Sequence, residues 1–362
     1  MSLQALYKKN ISLSEWFEAV GHTHAELFRK EDGDKSTRLT ILHDTIGMSY
    51  EKPTIFPLAA VLDNSKEFQL FYQEKKQTLC AFRLVPKDPS LPKLRMRGET
   101  VASTLTWLHS QHIDPSAYVL HIVPHPTKTD WSSIVIINTH GIFGEVIRGG
   151  HSQLTTGIYE YEPPVAFSHD FFSLTLHRHD AEAKKHIETI LSSVLVPNLE
   201  TQQQLAHTLH ATFSEGYLNG YFETVTSPDY GLWFIDYNRL LGKQYLQTQK
   251  KDAKETVPLS GEIAYPGKVE GSVAVVMESE SDIPTILDGD ILVCPMTHPG
   301  YLLLMQQAKG IITDQGGILS HAAIVSRELH IPCLVGTRTA TTTLKHGDQI
   351  ILDATTGNIT TL

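Results

Sequence analysis

Cysteine is scarce in this chain. The three in 362 residues, Cys80, Cys294 and Cys333, lie far apart and without metal-type spacing. That excludes a disulfide scaffold and suits a reducing compartment. No apolar run approaches the roughly 18–20 residues that a membrane-crossing helix requires. The opening MSLQALYKKNISLSEW lacks the basic-then-apolar layout of a signal peptide, so a cytoplasmic location without membrane is expected. Positive charge is short: 30 Lys and Arg against 40 Asp and Glu leave a net charge of -10. That gives no electrostatic footprint for nucleic acid, although the local cluster Lys93, Arg95 and Arg97 can still hold a phosphate. There is no internal repeat and no low-complexity tract.

What is present is a length sufficient for about two domains. The clearest seam is LGKQYLQTQKKDAKETVPLS, a polar stretch that ends at Pro258. We read residues 241–259 as a linker, 1–240 as a first domain and 260–362 as a second. A modest, polar interface between the two is expected, because few apolar residues of the linker can pin it to either core. The second domain alternates strand and helix signals: GKVEGSVAVVM, DGDILVCPM, GIITD and PCLVGT as strands, GYLLLMQQA and a run beginning at His321 as helices, and GDQIILDATTGNITTL as a closing hairpin. This alternation predicts a layered α/β module.

Inside it lies TDQGGILSHAAIVSRELHIPCLVG, residues 313–336. Gly316 and Gly317 permit a turn with positive φ, Ser320 is a natural N-cap, and His321 falls in the first turn of a helix over 321–329. Ala323, Ile324 and Leu329 are placed toward the core, with Arg327 and Glu328 toward water. A helix N-terminus stabilises an anion and favours the neutral, nucleophilic imidazole. The combination suits a histidine that accepts a phosphoryl group.

Residues 261–362 resemble the phosphohistidine swivelling domain of the phosphoenolpyruvate-utilising enzymes, such as pyruvate phosphate dikinase, phosphoenolpyruvate synthase and the rifampicin phosphotransferases. The resemblance runs through AYPGKVEGSVAVV, GDILVCPMTHP, IITDQGGILSHAAIVSRELHIPCLVGT and GDQIILDATTG. It implies that His321 is the phosphorylated histidine, with Thr313, Gly316, Gly317, Ser320 and Arg327 forming its surroundings. Leu319 stands where several dikinases carry threonine, and His330 where glycine is usual before Ile331 and Pro332.

In the first domain, TLCAFRLVP reads as a strand, RGETVASTLTWLHSQH (97–112) as a helix, AYVLHIVPH and SSIVIINTHGIFGEVIRGG as two strands, ETQQQLAHTLHATFSEG (200–216) as a helix, and GYFETVTSPDYGLWFIDYN as a hairpin. An α+β domain follows. His121, His125, His140 and His151 lack acid or cysteine partners at ligand spacing and are read as surface or pocket residues rather than a metal cluster. The same family resemblance extends here to a divergent, truncated ATP-grasp-like nucleotide-binding domain. FRLVPKDPSLPKLRMRGET is similar to its VRSSA segment, INTHGIFGEVIRGG to GLGE and YFETVTSPDYGLWFIDYNR to its DIEW hairpin. The resemblance implies ATP contacts from Arg83, Arg97 and Glu145, and Mg²⁺ ligands from Glu223 and Asp236. Leu84 and Val85 replace two serines, and the family's GGK start has no clear counterpart in residues 1–75.

The expected fold is thus α/β and α+β: a C-terminal swivelling phosphohistidine domain preceded by a truncated ATP-grasp-like domain. The implied activity is a dikinase-type phosphotransferase that uses Mg²⁺ and ATP, or phosphoenolpyruvate, with a small molecule or partner protein as acceptor. Two alternatives stay open: a phosphocarrier with a degenerate nucleotide domain, and one component of a split enzyme. A lysine from residues 1–75 reaching the nucleotide cleft favours the active kinase.

Overall fold

The computed structural model describes residues 25–88, 91, 94–111, 113–156, 159, 162–244, 259–277, 286–297 and 301–362. Most of the linker expected over 241–259 lies outside the described residues. The chain forms two compact units. One runs from the described N-terminal residues to Lys35 and takes in Trp131–Glu223 and Asp236–Leu362; the other is Ser36–Asp130 with Thr224–Ile235.

The second of these units is built on a four-stranded antiparallel sheet, order β1-β4-β2-β3, of β1 (Thr54–Pro57), β2 (Leu79–Pro86), β3 (Leu94–Thr100) and β4 (Tyr118–Pro124). Helices Lys66–Lys75 and Val101–Ser110 supply Phe68, Val101 and Leu108 to a core with Phe56, Phe82, Leu120 and Ile122. The helix expected over 97–112 starts only at Val101, because Thr100 caps it by accepting the Ser103 amide at 3.1 Å. Residues 97–100 finish β3 instead, with Gly98 at φ +82.

The first unit contains a six-stranded sheet, order β12-β11-β5-β6-β7-β8. Its strands are β5 (Trp131–Asn138), β6 (Gly141–Arg148), β7 (Val165–His169), β8 (Leu174–Leu176), β11 (Gly220–Ser227) and β12 (Gly231–Asn238), with the tip of the β11–β12 hairpin assigned to the other unit. β9 (Phe213–Ser214) and β10 (Tyr217–Leu218) form a small separate hairpin. The stretch read as one strand over 132–150 is the β5–β6 hairpin, which turns at Thr139–His140. Both strands are buried along most of their length, and the polar run Asn138-Thr139-His140-Gly141 between them marks the turn. Asn138 makes it by accepting the His140 amide at 2.9 Å. The helix read over 200–216 spans Leu199–Leu209 and stops at His210, which is left-handed at φ 51.

The same unit carries a seven-stranded sheet, order β13-β17-β16-β15-β14-β18-β19. It comprises β13 (Glu262–Tyr265), β14 (Lys268–Val275), β15 (Ile291–Cys294), β16 (Gly310–Thr313), β17 (Cys333–Val335), β18 (Gln349–Asp353) and β19 (Asn358–Thr361). β14 through β17 run parallel, with helices Leu302–Gln307 and His321–Leu329 in the connections. The layered α/β expectation holds here, and α+β holds for the rest. Cys294, Cys333 and Cys80 are buried free thiols; burial pushes Cys80 up to about 11 and Cys333 up to about 12.

Candidate functional site

β16 ends at Thr313, whose side chain is fully buried and donates to the Gln315 carbonyl at 2.7 Å. The chain then turns through Gly316 at φ +95. A side chain there would be strained and would also meet Ser320 at 2.9 Å. Asp314 pins the turn from below, accepting from Thr337 Oγ1 at 3.0 Å and from the Thr341 hydroxyl. The helix begins at His321, as the sequence predicts, with Ser320 at the N-cap position. The Ser320 hydroxyl is buried yet makes no capping bond; backbone bonds from Ser320 to the Gly317 carbonyl and from Ile324 to the Ser320 carbonyl close the turn instead.

The His321 ring is half-buried, and its Nδ1 lies 3.2 Å from Thr297 Oγ1. Thr297 was not among the expected site residues. The signal for it was the MT pair just after β15, the parallel neighbour of β16. Arg327 and Glu328, expected to face water, are instead buried at 8% and 6% exposure. The loop before the helix folds back over this face, and Arg327 Nη1 donates to the Ile318 carbonyl there at 2.7 Å.

The loop does not stand alone. Leu319, fully buried, and Ile324 join an apolar cluster with Ile134, Ile136, Phe143, Ile147 and Tyr221 of the six-stranded sheet. The modest, polar joint expected from the linker is thus apolar at its centre. Alternation along β6 puts Glu145 on the same face as Phe143 and Ile147, and alternation along β11 puts Glu223 with Tyr221. The face that seats the His321 loop is therefore the face that carries both predicted glutamates. Glu145 is 4% exposed, and a Cβ on Gly317 would lie 2.3 Å from its Oε1.

Glu223 accepts from the Tyr221 hydroxyl at 2.7 Å and lies 3.0 Å from His151 Nε2. Burial alone would raise its carboxyl, but the neighbouring His151, Lys35 and the Tyr221 hydroxyl outweigh it and hold the group well below the usual carboxylate range. Lys35 Nζ sits 3.7 Å from Asp236 Oδ2. A lysine from the first 75 residues thus reaches the carboxylates. It belongs to Gly33-Asp34-Lys35 and was not singled out in the sequence. Among the described residues no three His, Cys, Asp or Glu side chains converge as a preformed metal site. Two carboxylates on neighbouring strands nevertheless fit Mg²⁺, which takes one or two protein carboxylates and completes its shell with water and phosphate oxygens. Arg83 and Arg97 lie in the other unit. Arg83 pairs with Glu51 at 2.5 Å, and Arg97 is exposed on β3.

Residues 286–357 match the family described as PEP-utilising enzyme, mobile domain. The chain is 48% identical over 100 residues to the "Uncharacterized phosphotransferase YvkC" of Bacillus subtilis (strain 168), a match that covers 28% of this chain and 12% of that protein. It is 42% identical over 139 residues to the phosphoenolpyruvate synthase of Pyrococcus furiosus, covering 37% of this chain and 17% of that protein. The chain thus spans a small part of the length of the curated relatives it matches. Among solved structures, the ATP-grasp ligase PsnB complexed with minimal precursor is similar at 11% identity and a TM-score of 0.28, over 58% of this chain and 54% of that one. No helix among the described residues is long and apolar enough to cross a membrane.

Proposed function

We propose that this chain is a phosphotransferase in which His321 carries a phosphoryl group from a nucleotide to a separate acceptor. The observation that carries the reading is a shared surface: the loop bearing His321 is seated on the sheet face that presents Glu145, Tyr221 and Glu223. The mobile-domain match and the phosphotransferase relatives support the same class of chemistry.

In this reading Thr297 holds Nδ1 of His321, and Nε2 is the nitrogen that attacks. The helix N-terminus behind the ring favours the anion that forms there. Glu223 and Asp236 would hold Mg²⁺, which would neutralise phosphate charge. Lys35, the cation already beside both carboxylates, would move to the phosphates of ATP. This basic residue favours the active kinase over a degenerate nucleotide part. The mobile domain would then leave the sheet and deliver the phosphoryl group, since near-attack geometry of roughly 3–3.5 Å cannot hold at two sites at once.

The test is labelling. Incubation with ATP labelled at the β- or γ-phosphate, or with labelled phosphoenolpyruvate, should give acid-labile label on the protein, absent from His321→Ala. Label from phosphoenolpyruvate alone would make the chain one component of a split system. Nucleotide binding is checked separately by calorimetry: Lys35→Met should weaken ATP at least about tenfold, the loss of roughly one charged contact.

A further inference from the structure

His151 lies between β6 and the short helix Ser152–Thr156. Its backbone is held from three sides. Ser132 of β5 donates through Oγ to the Gly149 carbonyl at 2.7 Å, and the Gln153 side chain donates to the Arg148 carbonyl at 2.9 Å. The Leu154 amide donates to the His151 carbonyl at 3.1 Å, and the Leu154 side chain is buried in the apolar cluster of the six-stranded sheet. Held this way, the imidazole meets Glu223 of β11, two strands away in the sheet. The acid partner that His151 lacks in its sequence neighbourhood is thus supplied by the fold.

Both ring nitrogens of His151 are shielded from water, and neither makes a hydrogen bond. Nε2 nevertheless lies 3.0 Å from Glu223 Oε2. The two atoms are close without being bonded to each other. Two donor atoms, each ~2.1 Å from one cation and at right angles around it, are ~3.0 Å apart. A shielded polar atom without a partner calls for one, and a cation shared by Nε2 and Oε2 supplies it. The other carboxylate oxygen, Oε1, already accepts from the Tyr221 hydroxyl at 2.7 Å. That bond fixes the carboxylate and leaves Oε2 as the oxygen turned to the imidazole.

We propose that His151 and Glu223 are two ligands of a site for a divalent first-row transition metal ion, which the site prefers to Mg²⁺. The proposal rests on the reading above that Glu223 is a metal ligand, and it adds a nitrogen to the donor set. Mg²⁺ takes oxygen ligands and holds its waters, whereas imidazole suits the transition ions. The neutral ring gives the Nε2 lone pair and keeps its proton on Nδ1. One imidazole and one carboxylate leave the other positions to water and phosphate oxygens, so a third protein ligand is not required.

The test uses the full chain, stripped of metal by a chelator, with Mn²⁺ and Mg²⁺ alone as probes. Calorimetry should show Mn²⁺ binding at least ~10-fold tighter than Mg²⁺. His151→Gln should weaken Mn²⁺ at least ~10-fold and Mg²⁺ by less than ~3-fold. His151→Asp, which puts oxygen in place of nitrogen, should retain binding and shift the preference toward Mg²⁺. Pulsed electron paramagnetic resonance of bound Mn²⁺ should show modulation from a directly bound nitrogen, lost in His151→Gln. Should that variant fail to fold, the wild-type spectrum and His151→Asp decide. Absence of nitrogen modulation, or an unchanged Mn²⁺ affinity in His151→Gln while Glu223→Gln weakens it, would reduce His151 to a structural neighbour and leave Glu223 a metal ligand. Mn²⁺ affinity unaffected by Glu223→Gln would overturn both. Absence of acid-labile label on the chain would defeat the phosphohistidine reading and leave this metal site standing.

Discussion

At the residue scale, the departures from the family pattern have physical readings. His330 closes helix His321–Leu329 in the left-handed region at φ 56, the conformation that glycine adopts without penalty. That explains why glycine is usual at this position. His330→Gly should therefore stabilise the chain by up to about 1 kcal/mol, reduced by whatever its edge contact with Tyr265 supplies; chemical denaturation measures the difference. His186 offers a pH test. It is buried, stacked on Trp131 and 2.9 Å from the Ser133 hydroxyl, and burial lowers it from 6.5 to about 4. The folded state keeps it neutral while the unfolded chain takes up a proton below pH 6.5. Its contribution is therefore intact at pH 7, is lost as the pH falls from 6.5 to 4, and amounts to about 3 kcal/mol. His186→Gln should flatten the fall in melting temperature across that window. An unchanged slope would show that other groups dominate.

At the scale of elements, the helix His321–Leu329 was legible because several local signals agree on it: a glycine turn, a cap residue and an apolar stripe. The burial of Arg327 and Glu328 was not, because the stripe describes one helix face and says nothing of a loop folding back over the other. The β5–β6 turn was overlooked although Asn138-Thr139-His140-Gly141 interrupts the two apolar runs. Lys35 was missed because its role depends on Asp236, which lies 201 positions away in sequence. Leu319, recognised only as a missing threonine, is the apolar plug that holds the loop on the sheet. Leu319→Ala should cost about 2–5 kcal/mol, read as a drop in unfolding free energy and as faster amide exchange over 314–320. A loss below about 1 kcal/mol would mean that the plug is not seated in solution.

At the scale of the molecule, the sequence division at 241–259 rests on composition, whereas the compact units follow contacts: Asp236–Leu362 clusters with Trp131–Glu223, and the four-stranded sheet stands as a separate unit. A strong local motif made the His321 turn and helix legible. In the first part the proposed nucleotide-side residues, Lys35, Glu145, Glu223 and Asp236, are isolated in sequence, and only folding brings Lys35 beside Asp236 and Glu223. The central claim is that His321, seated on that sheet, takes up a phosphoryl group. The most direct measurement is phosphorus NMR of the intact chain after incubation with Mg²⁺ and ATP, set against the same chain carrying His321→Ala. The account predicts a phosphoramidate resonance on the protein that acid removes and base spares, and none in the variant. A protein-bound phosphate ester, or an equal resonance in both chains, would contradict it.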